Sequence, residues 1–200
     1  MTATIDELLR IVPIMAIFRN MAPDDAVQLA HRSWDLGIEL VEVPIQSTDA
    51  IPTLEAVLAA GRERGKPVGS GTVISAEQVA LSHRLGAAFT VAPGLDADVV
   101  EESGRLALPH LPGVATATEV QRALALGCTW VKAFPAVALG AKWFTAMRGP
   151  FPEVSFVATG GMDSTNAAEF LAAGASTVAV GSALADPAQV DRLAEVIRGR

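Results

Sequence analysis

The sequence predicts an α/β fold, a compact (β/α)8 or TIM barrel with an N-terminal helix, formed by residues 1–200 as a single domain. Two observations predict it: short apolar segments alternate eight times with segments of helical pattern, and most of these apolar segments lack the polar alternation of a half-exposed strand. Strands that are apolar on both faces belong in a parallel sheet covered by helices. At 200 residues the chain is close to the minimum for eight such units, which usually occupy roughly 250 residues.

The predicted elements follow one another with recognisable start and stop signals. Pro23 and two aspartates open a helix that Gly37 ends, and Ser75 caps a later helix that runs to Gly86. The predicted strands cover residues 12–18, 38–45, 67–73, 88–92, 106–108, 130–135, 154–158 and 176–180. The predicted helices with their caps cover residues 4–10, 23–37, 47–65, 75–86, 118–127, 139–148 and 164–174, and two more begin near residues 96 and 187.

An open, doubly wound parallel sheet is the rival architecture. It usually binds a dinucleotide at a glycine-rich turn after its first strand. The segment Ile17-Phe18-Arg19-Asn20, which follows the first predicted strand here, contains no glycine. The closed barrel is therefore favoured.

Composition and charge argue against several classes of protein. Half of the residues are apolar and 18% are charged, and the net charge of -7 with no basic run disfavours nucleic acid as a partner. Cys128 is the only cysteine and the three histidines are scattered, so we expect no metal site and no cofactor. No apolar run approaches the roughly 20 residues of a membrane span, and the N-terminus does not resemble a signal peptide. We expect a cytoplasmic protein with no membrane partner.

The predicted strand Trp130–Pro135 carries a lysine where an aliphatic residue is expected. A buried ammonium loses hydration, so Lys132 needs an ionic partner or serves as a tuned amine, unless it reaches water from the strand end. A second charge, Glu42, lies in the apolar strand 38–45. Side chains alternate along a strand, and the second and sixth strands lie on opposite sides of a barrel. If both point inward, Glu42 and Lys132 face each other across the barrel mouth.

Active sites of such barrels lie at the carboxyl ends of the strands, where the last two strands usually bind phosphate. Here those two strands run into Gly160-Gly161 and Gly181-Ser182, and glycine lets the backbone approach a phosphate closely. Glycine pairs are also common in ordinary turns, so this signal is not specific. The candidates at the strand ends are Arg19, Glu42, Thr72, Pro93, Lys132, Gly160, Gly161, Gly181 and Ser182.

Several of these residues have a simpler structural interpretation. Arg19 could be an ordinary surface arginine, and Thr72 could be only the end of a strand. His110 lies between two prolines and is predicted to be a packed loop residue rather than a catalyst.

An inward lysine, a facing carboxylate and a phosphate site without a metal indicate Schiff-base catalysis on a phosphorylated keto compound. Desolvation would lower the pKa of Lys132 and so supply the neutral amine that attacks a carbonyl, while Glu42 moves protons. Two alternatives remain open. A phosphate-binding isomerase or lyase without an imine would not need Lys132, and a non-catalytic phosphosugar-binding protein would use Lys132 and Glu42 as a buried ion pair.

Seven segments along nearly the whole chain carry a resemblance to one family. They are Ile17-Phe18-Arg19, Glu42-Val43-Pro44-Ile45-Gln46-Ser47, Gly69-Ser70-Gly71-Thr72-Val73, Pro112-Gly113-Val114-Ala115-Thr116-Ala117-Thr118-Glu119, Val131-Lys132-Ala133-Phe134-Pro135, Thr159-Gly160-Gly161 and Gly181-Ser182. In these segments the chain resembles the class I aldolases that act on 2-keto-3-deoxy-6-phosphogluconate and 2-keto-3-deoxy-6-phosphogalactonate.

The resemblance implies a role for each site residue. Lys132 would form the Schiff base with pyruvate, and Glu42 would be the general acid and base. Substrate contacts are predicted for Arg19, Thr72, Pro93 and Phe134, and phosphate contacts for Gly160, Gly161, Gly181 and Ser182. The implied partners are a phosphorylated keto acid, pyruvate and glyceraldehyde 3-phosphate, and the implied assembly is a homotrimer.

The residues around Glu42 separate the two branches of the family. Gluconate-type enzymes resemble Glu-Val-Thr-Leu-Arg-Thr there, with an arginine for the pyruvate carboxylate, whereas this chain has Pro44 and Gln46, closer to the galactonate-type Glu-Ile-Pro-Leu-Asn-Ser. Arg19 is then the remaining candidate for that carboxylate. Residues 149–152 and 159–161 look more like the gluconate branch. We predict cleavage of 2-keto-3-deoxy-6-phosphogalactonate, with the gluconate epimer or 4-hydroxy-2-oxoglutarate as alternative substrates.

Overall fold

The computed structural model describes residues 4–10 and 12–198, whose strands form one nearly closed, all-parallel sheet with helices around it. This confirms the predicted barrel. The strands are β1 Ile14–Ile17, β2 Leu40–Pro44, β3 Val68–Gly71, β4 Thr90–Val91, β5 His110–Leu111, β6 Gly113–Val114, β7 Trp130–Ala133, β8 Ser155–Thr159 and β9 Thr177–Val180. Residues 1–3, which belong to the predicted N-terminal segment, and residues 11, 199 and 200 lie outside the described residues.

The helix after β3 begins and ends at the residues that the sequence marks. The Ser75 hydroxyl accepts from the backbone N–H of Gln78, and Gly86 ends the same helix with a left-handed φ of 86°. The helices are α1 Ile5–Leu9, α2 Pro23–Asp35, α3 Ile51–Arg64, α4 Ala76–Leu85, α5 Ala97–Arg105, α6 Ala117–Ala125, α7 Ala136–Leu139, α8 Ala141–Arg148, α9 Ala167–Ala172 and α10 Pro187–Arg198. Among the residues described, none of these helices has the length and apolar character required to traverse a bilayer.

The fifth strand does not lie where the sequence predicts it. The predicted strand 106–108 is instead the turn that ends α5, and Ala107 there has a left-handed φ of 51°. The strand position is filled by β5 and β6 on either side of Pro112, where β5 pairs with β4 and β6 pairs with β7. Proline cannot donate to a ladder, so the prolines around His110 indicate a loop. The pairing of β5 with β4 nevertheless places His110 in a strand, not in a loop.

The predicted helix 139–148 is likewise two helices. Gly140, with a left-handed φ of 79°, separates α7 from α8. The helix predicted over residues 164–174 shortens to α9 because residues 163–166 form a hydrogen-bonded turn around the Asp163 carboxylate.

Apolar side chains fill the lower half of the barrel. Met15, Leu40, Phe89 and Val157 are buried inside it together with further residues, and Leu9 of α1 joins the same cluster from below. The Trp130 indole N–H donates to the Asp6 carboxylate of α1 at 3.1 Å, so α1 is attached to the strand that carries Lys132. Polar inward side chains are thereby restricted to the carboxyl ends of the strands.

Candidate active site

A pocket of about 380 Å³ opens at the carboxyl ends of β1, β7, β8 and β9. It is lined by seven of the predicted site residues, namely Arg19, Lys132, Phe134, Gly160, Gly161, Gly181 and Ser182. Three others, Glu42, Thr72 and Pro93, belong to β2 and to the segments after β3 and β4, and they do not line this pocket. The fold thus brings the lysine and both glycine sites together at one side of the barrel mouth.

Lys132 lies on β7 with 3% of its surface exposed. Burial lowers the pKa of its ammonium, opposed by the charge of Glu42 and reinforced by that of Arg19. Its Nζ lies 5.2 Å from the centroid of the Phe134 ring, an aromatic face that can stabilise a cation. The result is an amine that opens onto the pocket and gives up its proton more readily than an exposed lysine.

Glu42 is completely buried on β2, and neither of its carboxylate oxygens has a hydrogen-bond partner in the described part of the chain. Burial raises the pKa of this carboxyl, although the charges of Lys132 and Arg19 oppose the shift. No salt bridge joins Glu42 to Lys132 among residues 4–10 and 12–198. This does not match the buried ion pair required by the non-catalytic alternative.

Arg19 is exposed immediately after β1. Its charge lowers the pKa of both Glu42 and Lys132. An arginine in this position can neutralise an anionic group that enters the pocket.

Thr72 and Pro93 follow neighbouring strands, β3 and β4, and both are half-buried. Thr72 has a left-handed φ of 59°, which is unfavourable for a β-branched residue and is found mostly where function or packing requires it. The carbonyl of Pro93 lies so close to Gly113 that a side chain there would overlap it. In the sheet, β2 and β1 separate β3 and β4 from β9 and β8, which carry the glycine sites.

The two glycine sites differ in what they require. Gly160 and Gly161 have left-handed φ values of 99° and 77°, and a Cβ on Gly161 would lie 2.7 Å from the Val137 side chain. Gly181 has a φ of -121° and precedes a 3-10 helix, Ser182–Ala185. Glycine is therefore needed by the backbone at Gly160 and Gly161, whereas a Cβ on Gly181 would make only ordinary contact with Ile17 at 3.5 Å.

Two polar residues of the pocket were not among the predicted site residues. Thr159 ends β8 with 5% of its surface exposed, and its hydroxyl has no partner in the described structure. A polar residue two positions after inward-facing Val157 was the signal that could have identified it. Asn20 also lines the pocket. Its hydrogen bond with Gln46 joins residues 26 positions apart, and the sequence gives no signal for this contact.

The described residues contain no group of three or more histidine, cysteine, aspartate or glutamate side chains arranged to hold a metal ion.

A family model described as KDPG and KHG aldolase matches residues 5–198. The chain belongs to this aldolase family. Two relatives are the 2-dehydro-3-deoxy-6-phosphogalactonate aldolase of Escherichia coli, 31% identical over 92% of this chain and 90% of that protein, and the 2-dehydro-3-deoxy-phosphogluconate aldolase of Treponema pallidum, 37% identical over 83% and 77%. These aldolase relatives support class I aldolase activity, a lyase reaction, in this chain.

A solved structure of KDPG aldolase from Legionella pneumophila also superimposes on this aldolase. It has a TM-score of 0.84 and 28% sequence identity, covers 96% of each chain, and holds pyruvate captured as a covalent carbinolamine intermediate. Relatives named for the galactonate and for the gluconate substrate are similarly distant, so the comparisons do not decide between the two.

Proposed function

We propose that the protein cleaves 2-keto-3-deoxy-6-phosphogalactonate reversibly to pyruvate and glyceraldehyde 3-phosphate, with Lys132 as the imine-forming nucleophile. The observation that carries the proposal is a nearly buried lysine with a lowered pKa that shares one pocket with two glycine sites. A neutral amine attacks the keto group, while close backbone approach suits a phosphate.

In this mechanism the Lys132 amine adds to the C2 carbonyl, and loss of water gives an iminium. Glu42, directly or through a water, removes the proton of the C4 hydroxyl, the C3–C4 bond breaks, and its electron pair moves towards the iminium to form an enamine. Glyceraldehyde 3-phosphate leaves, Glu42 returns a proton to C3, and water hydrolyses the pyruvate imine. The raised pKa of Glu42 suits this exchange, because a carboxyl group that both takes and gives a proton works best near the operating pH.

The remaining pocket residues bind the two ends of the substrate. Gly160, Gly161, Gly181 and Ser182 contact the phosphate, and Arg19 contacts the carboxylate of the keto acid. Phe134 packs against the reacting carbons beside Lys132, with Thr72 and Pro93 at the far side of the mouth. The choice of the galactonate epimer rests on Pro44 and Gln46, and the gluconate epimer is the second candidate because of residues 149–152 and 159–161.

Borohydride trapping with pyruvate, followed by peptide mapping, tests the nucleophile. We expect one reduced pyruvate on Lys132, none in Lys132→Met, and an unchanged adduct in Lys142→Met, which alters an exposed lysine on α8. Absence of the adduct in the folded, unaltered protein would remove Lys132 as the nucleophile. Initial rates with the two C4 epimers then decide the substrate.

We also propose a homotrimer, as the family resemblance implies. Light scattering should give three times the 20.7 kDa chain mass, and a monomer would contradict this assembly.

A further inference from the structure

A side-chain hydrogen bond joins the loops that follow β1 and β2. Gln46 Nε2 donates to Asn20 Oδ1 at 2.6 Å. Asn20 has a left-handed φ of 56°, a conformation that asparagine tolerates better than most other residues with a side chain. The bond and the backbone together fix where the Asn20 amide lies.

Asn20 forms part of the wall between two pockets. One is the 380 Å³ pocket that Lys132 lines, and the other is a pocket of about 260 Å³ between the β1–α2 and β2–α3 loops. Gln46 lines only the second. Gln46 therefore hydrogen-bonds to Asn20 from the second pocket, not from the pocket that Lys132 lines.

This arrangement divides the hydrogen-bonding groups of the Asn20 amide. Its carbonyl oxygen accepts from Gln46, and its Nδ2 carries two N–H donors for which the described residues provide no acceptor. We propose that Asn20 binds the substrate by donating from Nδ2 to a substrate oxygen, and that Gln46 is a positioning residue that orients this donor. The inference rests on the proposed function, because it assigns a further contact in the same pocket.

The sheet order indicates which half of the substrate Asn20 contacts. β1 pairs with β9, which runs into Gly181 and Ser182, so Asn20 follows the strand adjacent to the proposed phosphate site. Thr72 and Pro93, after β3 and β4, are absent from the lining of this pocket. Arg19, the preceding residue, is already proposed for the keto-acid carboxylate, so we assign the Asn20 donor to an oxygen of the other, hydroxylated and phosphorylated half of the substrate.

Two substitutions of Asn20 test the donor. Asn20→Gly removes the amide while accepting the left-handed backbone, and Asn20→Asp keeps the shape but replaces the donors with a negative charge. We expect kcat/KM for the phosphorylated keto acid to fall on the order of 10-fold in Asn20→Gly, mainly through KM, and about 10²-fold in Asn20→Asp, because a hydrogen bond to a charged group is lost and then replaced by repulsion. Imine trapping with pyruvate alone should proceed at the unaltered rate in Asn20→Gly, which adds no charge to the pocket.

Gln46→Met tests the positioning role, with Gln28→Met, an exposed glutamine on α2, as its matched control. Gln46→Met should raise KM about 3-fold with little effect on kcat, and Gln28→Met should change neither. In Asn20→Gly/Gln46→Met the two losses should not add, since Gln46 acts through Asn20. Additive losses would contradict this role.

The outcomes separate this inference from the proposed function. If Lys132 forms the pyruvate adduct but Asn20→Gly leaves kcat/KM within 2-fold, roughly the error of such a comparison, only the Asn20 contact is wrong. Equal losses in pyruvate trapping and in cleavage would place the contact at the keto-acid half and overturn the assignment. Failure of the unaltered protein to form any adduct would remove both.

Discussion

Gly71 and Glu42 are in contact across the β2–β3 pair, and the Glu42 carboxylate occupies the space that a side chain on Gly71 would fill. The glycine is therefore a steric requirement of the carboxyl group, although its own φ does not demand glycine. This contact explains how a fully buried carboxyl group fits inside a narrow barrel.

Gly71→Ala should displace the Glu42 carboxylate and lower kcat on the order of 10²-fold, since a displacement of about 1 Å can cost this much. Gly94→Ala is the matched control, because a Cβ there meets nothing within 4 Å. Steady-state kinetics and the thermal midpoint of each variant provide the measurement. Parental kcat in folded Gly71→Ala would show that the position of Glu42 is unimportant.

Glu42→Gln should lower kcat roughly 10²–10⁴-fold, because the amide cannot exchange the proton. The folding stability of Glu42→Gln should rise although its kcat falls. Burial raises the folded pKa of Glu42, so ionisation of this group destabilises the fold as pH rises from the unfolded value towards the folded one. Denaturant unfolding at pH 8 should show Glu42→Gln more stable than the parent, with the difference vanishing near pH 4, and exposed Glu55→Gln should show neither effect.

His110 should make the protein sensitive to acid. Burial lowers its pKa from 6.5 to about 4, so the folded state keeps it neutral while the unfolded state binds a proton. Stability is then present above about pH 6.5 and is lost as pH falls towards 4, by at most about 3 kcal/mol for a shift of this size. His110→Gln should flatten the unfolding free energy across this range, whereas exposed His83→Gln should not. An unchanged slope in His110→Gln would assign the acid sensitivity to other groups.

Thr159→Val tests whether the unpartnered hydroxyl belongs to the substrate. Replacing a buried hydroxyl that has no partner by a methyl group of similar size should leave the thermal midpoint unchanged or raise it. The kcat/KM for cleavage should nevertheless fall about 10-fold if a substrate oxygen is the missing partner. Thr165→Val, in the exposed turn before α9, controls for loss of a threonine hydroxyl near the pocket. Unaltered cleavage by Thr159→Val would exclude the substrate as that partner.

Local patterns account for most of what could be predicted from the sequence. Capping at Ser75 and termination at Gly86 depend on residues close together in the chain, so both can be predicted from the sequence. The fifth strand was predicted at the wrong place for two reasons. Two prolines beside β5 indicate a loop, and the turn at residues 106–108 is apolar like a buried strand. Prediction therefore failed where the pairing of distant strands outweighed local preference.

The sequence by itself determined the alternation of strands and helices, the inward lysine and the two glycine sites, since each depends on the order and spacing of nearby residues. Only the tertiary structure decided that Lys132 lines the pocket with the glycine sites, while Glu42 is buried against Gly71. The hydrogen bond between Gln46 and Asn20 at the pocket wall was also decided only there. Those relationships join residues far apart in the chain. They arise when strand register and barrel closure fix which side chains share space, and spacing along the sequence does not encode this directly.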